Sequence, residues 1–239
     1  MPDILLEVCV EDANGLQAAI NGGAGRIELC SALGLGGLTP SPGLMAEAAR
    51  SPIPVMAMIR PRAGGFVWST EDLRQMKADI AAARTAGLAG VVLGASRPDG
   101  RLDEWMLATL LQEAGGMDTT LHRCFDLTPD KSQALETAIH LGFRRILTSG
   151  GAPSAPEGAD TLQSLFQQAA NRITLMPGAG IRPETLPSLR HLPLREIHAS
   201  CSMPEPEAPA IAAMGFGPPE RRATSEPAVR ALIAALAHM

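Results

Sequence analysis

LEVCV at Leu6–Val10 decides the fold of this chain, together with RIELC at Arg26–Cys30 and MAMIRPR at Met56–Arg62. Each stretch is a short hydrophobic run that carries charged or thiol side chains towards its carboxyl end. Residues two apart in a strand point to the same side, so Glu7 and Cys9 share one face of the first run. Charged side chains are rarely buried without a partner. The three runs therefore predict neighbouring parallel strands with a polar site at the carboxyl edge of their sheet.

Outward from these runs, strand and helix patterns alternate eight times along the chain. Strands are predicted at 4–10, 26–30, 54–60, 89–94, 118–123, 144–149, 172–177 and 195–200. Helices are predicted at 12–22, 41–50, 70–86, 103–115, 129–141, 158–170, 183–190 and 225–237. A doubly wound open sheet is the alternative, but no GxGxxG follows the first strand. Eight units in 239 residues instead predict an α/β fold, a single (β/α)8 TIM-barrel domain over 1–239, because such barrels take about 250 residues.

One segment breaks the alternation. Residues 202–224 are rich in proline and show neither strand nor helix periodicity. Loops of this length in compact domains are usually functional or disordered. We expect an irregular loop after the eighth strand, which either folds across the barrel mouth as a lid or serves as a flexible connector.

The composition excludes several classes of partner. The net charge is −5 and no basic block is present, which argues against nucleic acid and anionic membrane surfaces. No apolar run reaches the roughly 18 residues that a membrane span needs. The four cysteines lack CxxC spacing, and no leader-like segment precedes the first strand. We expect a cytoplasmic protein with free thiols. The sequence leaves open whether the protein forms a homo-oligomer.

The candidate site consists of the polar residues at the carboxyl ends of the predicted strands, where TIM barrels carry their active sites. Two-residue spacing recurs at Glu7 and Cys9, at Glu28 and Cys30, and at Arg60 and Arg62, which scattered polar residues would not produce. They are Glu7, Cys9, Glu28, Cys30, Arg60, Arg62, His122, Arg123, Asp126, Ser149, Gly150, Gly178, Gly180 and His198.

Two carboxylates inside a mostly apolar barrel need cations or hydrogen-bond donors. Arg60 and Arg62, on the third strand, are the expected partners of Glu7 and Glu28. One interpretation is a structural ion-pair network at the top of the barrel. The other is catalytic: one carboxylate acts as a general base, and the arginines bind an anionic group of the substrate.

The histidines lie on the fifth and eighth predicted strands, almost opposite each other. Facing carboxylates and arginines, His122 is predicted to act as a general acid and His198 to contact the substrate. Each could instead be an ordinary core histidine satisfied by hydrogen bonds. Asp126 is a further catalytic candidate that could orient His122 or Arg123, or simply begin the following loop.

Two glycine turns follow the sixth and seventh predicted strands. ILTSGG contains Ser149 and Gly150, and MPGAGI contains Gly178 and Gly180. Backbone N–H groups in such turns hold phosphate groups in many TIM barrels. With the paired arginines Arg60 and Arg62, these turns predict a site for a phosphorylated or carboxylated ligand, although glycine is also common in βα turns for steric reasons.

The blocks that carry these residues resemble the copper homeostasis protein CutC family. The matching blocks run in the same order over residues 4–200 and are IELC-SALGLGGLTPS, MIRPR-GGF, LHRCFD, RILTSGG, EG at 157–158, MPGAGI and EIHAS. The resemblance implies a TIM barrel and a link to copper tolerance. It also implies Cu(I) binding, because the family cysteines proposed as ligands match Cys9 and Cys30.

Thiolates suit Cu(I), and two inward thiols on adjacent strands, ~4.8 Å apart, could bridge one ion. The alternative is that Cys9 and Cys30 pack as small hydrophobic residues. The resemblance implies a cytoplasmic copper-homeostasis protein. The polar residues favour a lyase, epimerase or isomerase that acts on a small anionic molecule. A barrel that only binds or scaffolds is the third possibility.

Overall fold

The computed structural model describes residues 4–218 and 220–239. Eight parallel strands form one sheet in the order β7-β6-β5-β4-β3-β2-β1-β8. They are β1 (Leu5–Val10), β2 (Arg26–Leu29), β3 (Val55–Met58), β4 (Gly90–Leu93), β5 (Asp118–Leu121), β6 (Arg145–Thr148), β7 (Thr174–Pro177) and β8 (Glu196–Ala199). The outermost strands of that order, β7 and β8, contact each other, so the sheet curls into a barrel. The TIM-barrel prediction is confirmed.

Helices follow most of the strands around the outside of the barrel. They are α1 (Ala13–Gly22), α2 (Pro42–Ala48), α3 (Thr70–Ala86), α4 (Glu104–Ala114), α5 (Lys131–Leu141), α6 (Ala159–Ala169) and α8 (Glu226–Leu236), while the short α7 (Pro209–Ala213) lies in the segment between β8 and α8. Most begin at a side-chain cap: Asp12 accepts from Gly15 N before α1, and Ser69 opens α3 in a capping box with Asp72. None of the described helices is both long and apolar enough to cross a bilayer.

The helix predicted at 183–190 is wrong. The structure has only a 3₁₀ turn there, Leu186–Leu189. Pro187 lies inside the predicted helix and has no N–H to donate to residue 183, so an α-helix cannot continue through it. A short 3₁₀ turn that begins near Pro187 needs no hydrogen bond from the proline nitrogen.

The hydrophobic core lies between the strands and the helices, where outward strand residues such as Val8 and Ile27 are fully buried. Inward residues are polar at many positions. In the register of β1, Glu7 lies opposite Arg26 on one side and His198 on the other. The two-residue alternation predicted from the sequence therefore holds, and it places charged side chains in the barrel interior.

The segment 202–224 is not the irregular loop that we predicted. Apart from residue 219, which lies outside the described residues, it forms an antiparallel hairpin of β9 (Ser202–Pro206) and β10 (Glu220–Thr224), with α7 between the strands. Side-chain pairing stabilises this hairpin: Arg221 Nη2 lies 2.5 Å from Glu205 Oε2, and Arg222 donates to the Ser202 carbonyl. The hairpin contributes Met203 and Phe216 to the wall of the cavity at the barrel mouth.

Candidate functional site

A cavity of about 1380 Å³ opens at the carboxyl ends of the strands. Residues from the barrel, the βα loops and the hairpin line it. The side chains suited to ligand binding include Cys9, Glu28, Arg60, His122, Arg123, Arg182 and His198. The volume exceeds that of most small-molecule pockets, which makes the mouth the principal candidate site.

A chain of ion pairs lies inside the barrel beneath this cavity. Arg26 bridges the carboxylates of Glu7 and Glu196. Arg145 continues the chain, with Nε 2.9 Å from Glu196 Oε2 and Nη2 2.9 Å from Asp118 Oδ2. The prediction that Arg60 and Arg62 neutralise the glutamates is therefore wrong, because Arg26 lies directly opposite Glu7 on the adjacent strand.

His198 connects this ion-pair chain to the cavity. Its Nδ1 lies 2.9 Å from Glu7 Oε1, and its Nε2 lies 3.7 Å from Glu28 Oε2. Burial alone would raise the pKa of Glu7, but the hydrogen bond from His198 and the charge of Arg26 outweigh it and lower that pKa to about 2. Burial would lower the pKa of His198, but the nearby carboxylates hold it well above its usual value.

Glu28 has an unused hydrogen-bond acceptor. Its side chain is buried, Cys30 Sγ approaches Oε2 at 3.6 Å, and Oε1 has no hydrogen-bond partner. Burial raises the pKa of this carboxyl group. Within 4–218 and 220–239, His198 is the single positively chargeable group within ion-pair distance of Glu28. A buried carboxylate in this position calls for a ligand.

The two cysteines predicted as copper ligands lie in different surroundings. Cys9 lines the cavity, and its Sγ forms a group with donor atoms of Glu28 and His198 that all lie within 4.8 Å of one another. Cys30 is outside that group. It is fully buried in a small apolar cluster with Met56 and Met58, and burial raises its thiol pKa well above the usual value.

Arg60 is a buried cation with backbone partners. Its Nη1 donates to the carbonyls of Leu35 and Gly37, and its Nη2 donates to that of Gly64. Its Nε has no hydrogen-bond partner, and no carboxylate of the described residues lies within ion-pair distance. Three of the five guanidinium N–H groups are thus used and two stay free. Phe66 supports the guanidinium, whose Cζ lies 5.2 Å from the ring centre.

Arg62 does not belong to the candidate site. Its guanidinium is half-exposed and pairs with Asp72 at 3.0 Å, above the ring of Trp68. It is not part of the cavity wall. β3 ends at Met58, and backbone pairing with the next strand continues only to Ile59, whose N–H donates to the Val92 carbonyl. The two-residue alternation therefore reaches Arg60 but not Arg62.

His122 presents a hydrogen-bond donor at the mouth. Its Nδ1 accepts from Cys124 N at 3.2 Å, so the neutral ring carries its proton on Nε2, and Nε2 is buried without a partner. Burial, with the charge of Arg60 as a second cause, lowers the pKa of His122 to about 3. The ring needs Gly94 beside it, because a Cβ there would lie 2.4 Å from His122 Cε1. His122 is therefore a neutral donor near pH 7.

Asp126 is occupied by hydrogen bonds within the protein. Its carboxylate accepts from Thr148 Oγ1, from the backbone and hydroxyl of Ser149, and from Gly151 N. It also pairs with Arg123 Nε at 2.8 Å. Asp126 therefore positions Arg123 and the turn after β6. Of the two alternatives considered for it, orienting Arg123 matches these contacts.

Of the residues predicted in the two glycine turns, some stabilise the turns or make room for neighbours, and one lines the cavity. Ser149 donates to Asp126 and Ala152, and neither it nor Gly150 forms part of the cavity wall. A Cβ on Gly178 would lie 2.6 Å from a Leu147 methyl group and 3.2 Å from His198 Cβ, so this glycine makes room for neighbouring side chains. Gly180 does line the cavity.

Sequence reasoning missed the partners that organise the glutamates. Arg26 stands two residues before Glu28, and Glu196 stands two before His198, so the same alternation places both inside the barrel. That signal was present in the strand pattern. Phe66, whose ring lies 4.7 Å from that of His122, comes from a loop where no periodicity applies.

The fold and the cavity define a TIM-barrel protein with a candidate ligand site at the mouth of the barrel. The sequence model of the CutC family matches residues 4–203. The chain belongs to the CutC family.

Relatives support this assignment along almost the whole chain. A CutC family protein of Rhizobium meliloti (strain 1021) is 58% identical over 238 residues, which cover 99% of this chain and 97% of the relative. One from Caulobacter vibrioides (strain NA1000 / CB15N) is 54% identical over 237 residues, covering 98% and 97%.

Solved structures agree with the fold. A crystal structure named as that of a candidate copper homeostasis protein CutC from Streptococcus agalactiae has a TM-score of 0.79 at 32% identity, covering 82% of this chain and 98% of that one. Thiamine phosphate pyrophosphorylase from Pyrococcus furiosus has a TM-score of 0.61 at 12% identity, covering 99% and 97%. At this low identity, the similarity to the pyrophosphorylase shows only that the two proteins share a barrel fold.

Proposed function

We propose that the barrel mouth is the active site of an enzyme that acts on a small anionic molecule. The observation that carries this proposal is Arg60, a buried guanidinium with no carboxylate partner among the described residues. Buried charges in proteins are normally paired. An anionic ligand in the cavity would supply the missing charge, and a guanidinium binds carboxylate or phosphate well.

The other free groups suit proton transfer next to a carbonyl or carboxylate. His122 Nε2–H would donate to an oxygen that gains negative charge during the reaction. Glu28 lines the same cavity, and its buried Oε1, which has no hydrogen-bond partner, would take the proton. This arrangement favours a lyase, epimerase or isomerase reaction. We place it in the cytoplasm, where the four free cysteines stay reduced.

The test is anion binding by wild type, Arg60→Gln and the matched surface variant Arg62→Gln. Inorganic phosphate and malonate are the probes, measured by calorimetry and thermal unfolding. A ligand at about 100 times its Kd stabilises a protein by about 2.7 kcal/mol. We expect binding in wild type and Arg62→Gln and its loss in Arg60→Gln. Failure of both anions to bind, or binding indifferent to Arg60→Gln, would contradict the proposal.

The second candidate function is copper handling, with Cu(I) bound by Cys9 and Cys30. The observation that favours it is Cys9, a thiol in the wall of a cavity that Met58 also lines. The similar Streptococcus agalactiae protein carries a copper homeostasis name. Cys30 is the weaker half of the pair, since burial disfavours its thiolate. Anaerobic Cu(I) competition with a chromophoric chelator tests this function. Cys9→Ser and Cys30→Ser should each abolish tight binding, and full binding in the double variant would exclude the pair.

A further inference from the structure

We propose that Cys9, Glu28 and His198 form a binding site for a divalent transition-metal ion of the zinc class. Their sulfur, oxygen and nitrogen donor atoms all lie within 4.8 Å of one another, and all three residues are buried. They come from three neighbouring strands, β1, β2 and β8, so the barrel itself fixes their separation. The inference goes beyond the enzyme proposal and does not depend on the anion site at Arg60.

The surroundings of His198 are those of a metal ligand. Its Nδ1 lies 2.9 Å from Glu7 Oε1, which leaves Nε2 for the side that faces Glu28. Glu7 is itself held by Arg26. Metal-ligating histidines almost always direct their second ring nitrogen to a carboxylate or carbonyl, and this contact fixes the ring. Glu7 is therefore a positioning residue for the site.

Glu28 supplies a second, independent observation. Its side chain is about 5% exposed, and its Oε1 has no hydrogen-bond partner. No lysine or arginine of residues 4–218 and 220–239 lies within ion-pair distance of it. Among the described residues, His198 is the single positively chargeable neighbour of this carboxylate. A metal ion that takes the place of the His198 Nε2 proton would keep a positive charge beside Glu28 and would also bind the Cys9 thiolate.

The donor set selects the kind of metal. One thiolate, one imidazole and one carboxylate suit zinc, and three protein ligands with an open fourth position are typical of catalytic zinc sites. The open position here faces the cavity, since Cys9, Glu28 and His198 all line it. This site shares Cys9 with the Cu(I) pair but replaces Cys30 by an oxygen and a nitrogen ligand.

Metal binding has a consequence for the proposed chemistry. Ligation of a divalent ion would draw electron density from the whole Glu28 carboxylate, so Glu28 would be a poorer proton acceptor in the metal-bound protein. The ion would instead supply Lewis-acid polarisation of a substrate oxygen in the cavity. The metal content would therefore affect which chemistry the mouth supports.

The experiment uses Co(II), which reports thiolate ligation through its charge-transfer absorption, and Zn(II) calorimetry under anaerobic conditions. The variants are Cys9→Ser and His198→Gln, with Cys30→Ser as the matched control. We expect stoichiometric Co(II) binding with a thiolate band in wild type and Cys30→Ser, and no such band in the other two. Glu7→Gln, where it folds, should weaken Zn(II) binding on the order of 10–100-fold.

Two results would overturn the inference. One is the absence of Co(II) and Zn(II) binding by wild type. The other is a thiolate band that persists in either Cys9→Ser or His198→Gln. Neither result bears on phosphate binding at Arg60, so failure of the metal site and failure of the anion site are distinguishable.

Discussion

Replacement of Arg26 by methionine tests the ion-pair chain most severely. Arg26 is 4% exposed and joins the carboxylates of Glu7 and Glu196 inside the barrel. Methionine fills similar space but carries no charge. In the variant, Glu7 keeps only His198 as a partner and Glu196 keeps only Arg145. The Glu7 carboxylate has no exposed surface, so in the variant its negative charge is buried without the positive charge of Arg26 beside it.

Two estimates bound the cost of this change: the pKa of Glu7 gives an upper limit for the part that acts through Glu7, and general experience with buried ion pairs gives the total. The pKa of Glu7 falls from its ordinary value of 4.5 to about 2, and at about 1.4 kcal/mol per pH unit this corresponds to about 3 kcal/mol of stability at neutral pH. Arg26 supplies part of that, because His198 also lowers the pKa. Removing one partner of a buried ion pair typically costs about 3–5 kcal/mol. We therefore expect Arg26→Met to destabilise the protein by about 3 kcal/mol.

Urea unfolding followed by circular dichroism measures this difference at several pH values. Because the folded state lowers the pKa of Glu7, its stabilisation is complete above pH 4.5 and is lost as pH falls towards 2. The gap between wild type and variant should therefore be largest near pH 7 and shrink below pH 4.5. The control is Arg172→Met, which breaks an exposed pair with Glu136 and should change little. Equal stabilities of Arg26→Met and wild type at pH 7 would show that Arg26 does not stabilise the folded protein by pairing with Glu7.

Three further predictions concern the mouth. In ¹⁵N-histidine NMR spectra, His122 should stay neutral from pH 8 down to pH 4, since its pKa is lowered to about 3; a midpoint near its ordinary value of 6.5 would contradict its burial. Gly94→Ala should cost about 1–3 kcal/mol in urea unfolding, because the new methyl overlaps the His122 ring; unchanged stability would show that the ring can move away. Phe66→Leu should weaken malonate binding measured by calorimetry while the fold persists, since the ring supports both Arg60 and His122; unchanged affinity would remove Phe66 from the site.

The barrel could be predicted because its signal is local and repeated. Strand and helix periods alternate regularly, and the predicted strands overlap all eight observed ones within a few residues, as with 26–30 against Arg26–Leu29. Two-residue alternation also placed Glu7, Cys9 and Glu28 in the interior. The same rule failed for Arg62, because the strand had ended before it.

Contacts between distant parts of the chain could not be predicted in the same way. The pairing of Arg26 with Glu196 joins residues 170 apart, and it depends on β1 lying between β2 and β8. The hairpin of β9 and β10 was hidden because its strands lie at the surface, where no apolar alternation is needed, and because prolines occur in β9. Sequence patterns located the groups at the mouth but not their partners.

A crystal structure of the protein soaked with malonate would show whether the barrel mouth is an anion site. We expect the anion in the mouth, with one carboxylate on Arg60 Nε and an oxygen within hydrogen-bond distance of His122 Nε2. Malonate bound only at the protein surface, with the Arg60 and His122 nitrogens still without a ligand at saturating concentration, would contradict this expectation.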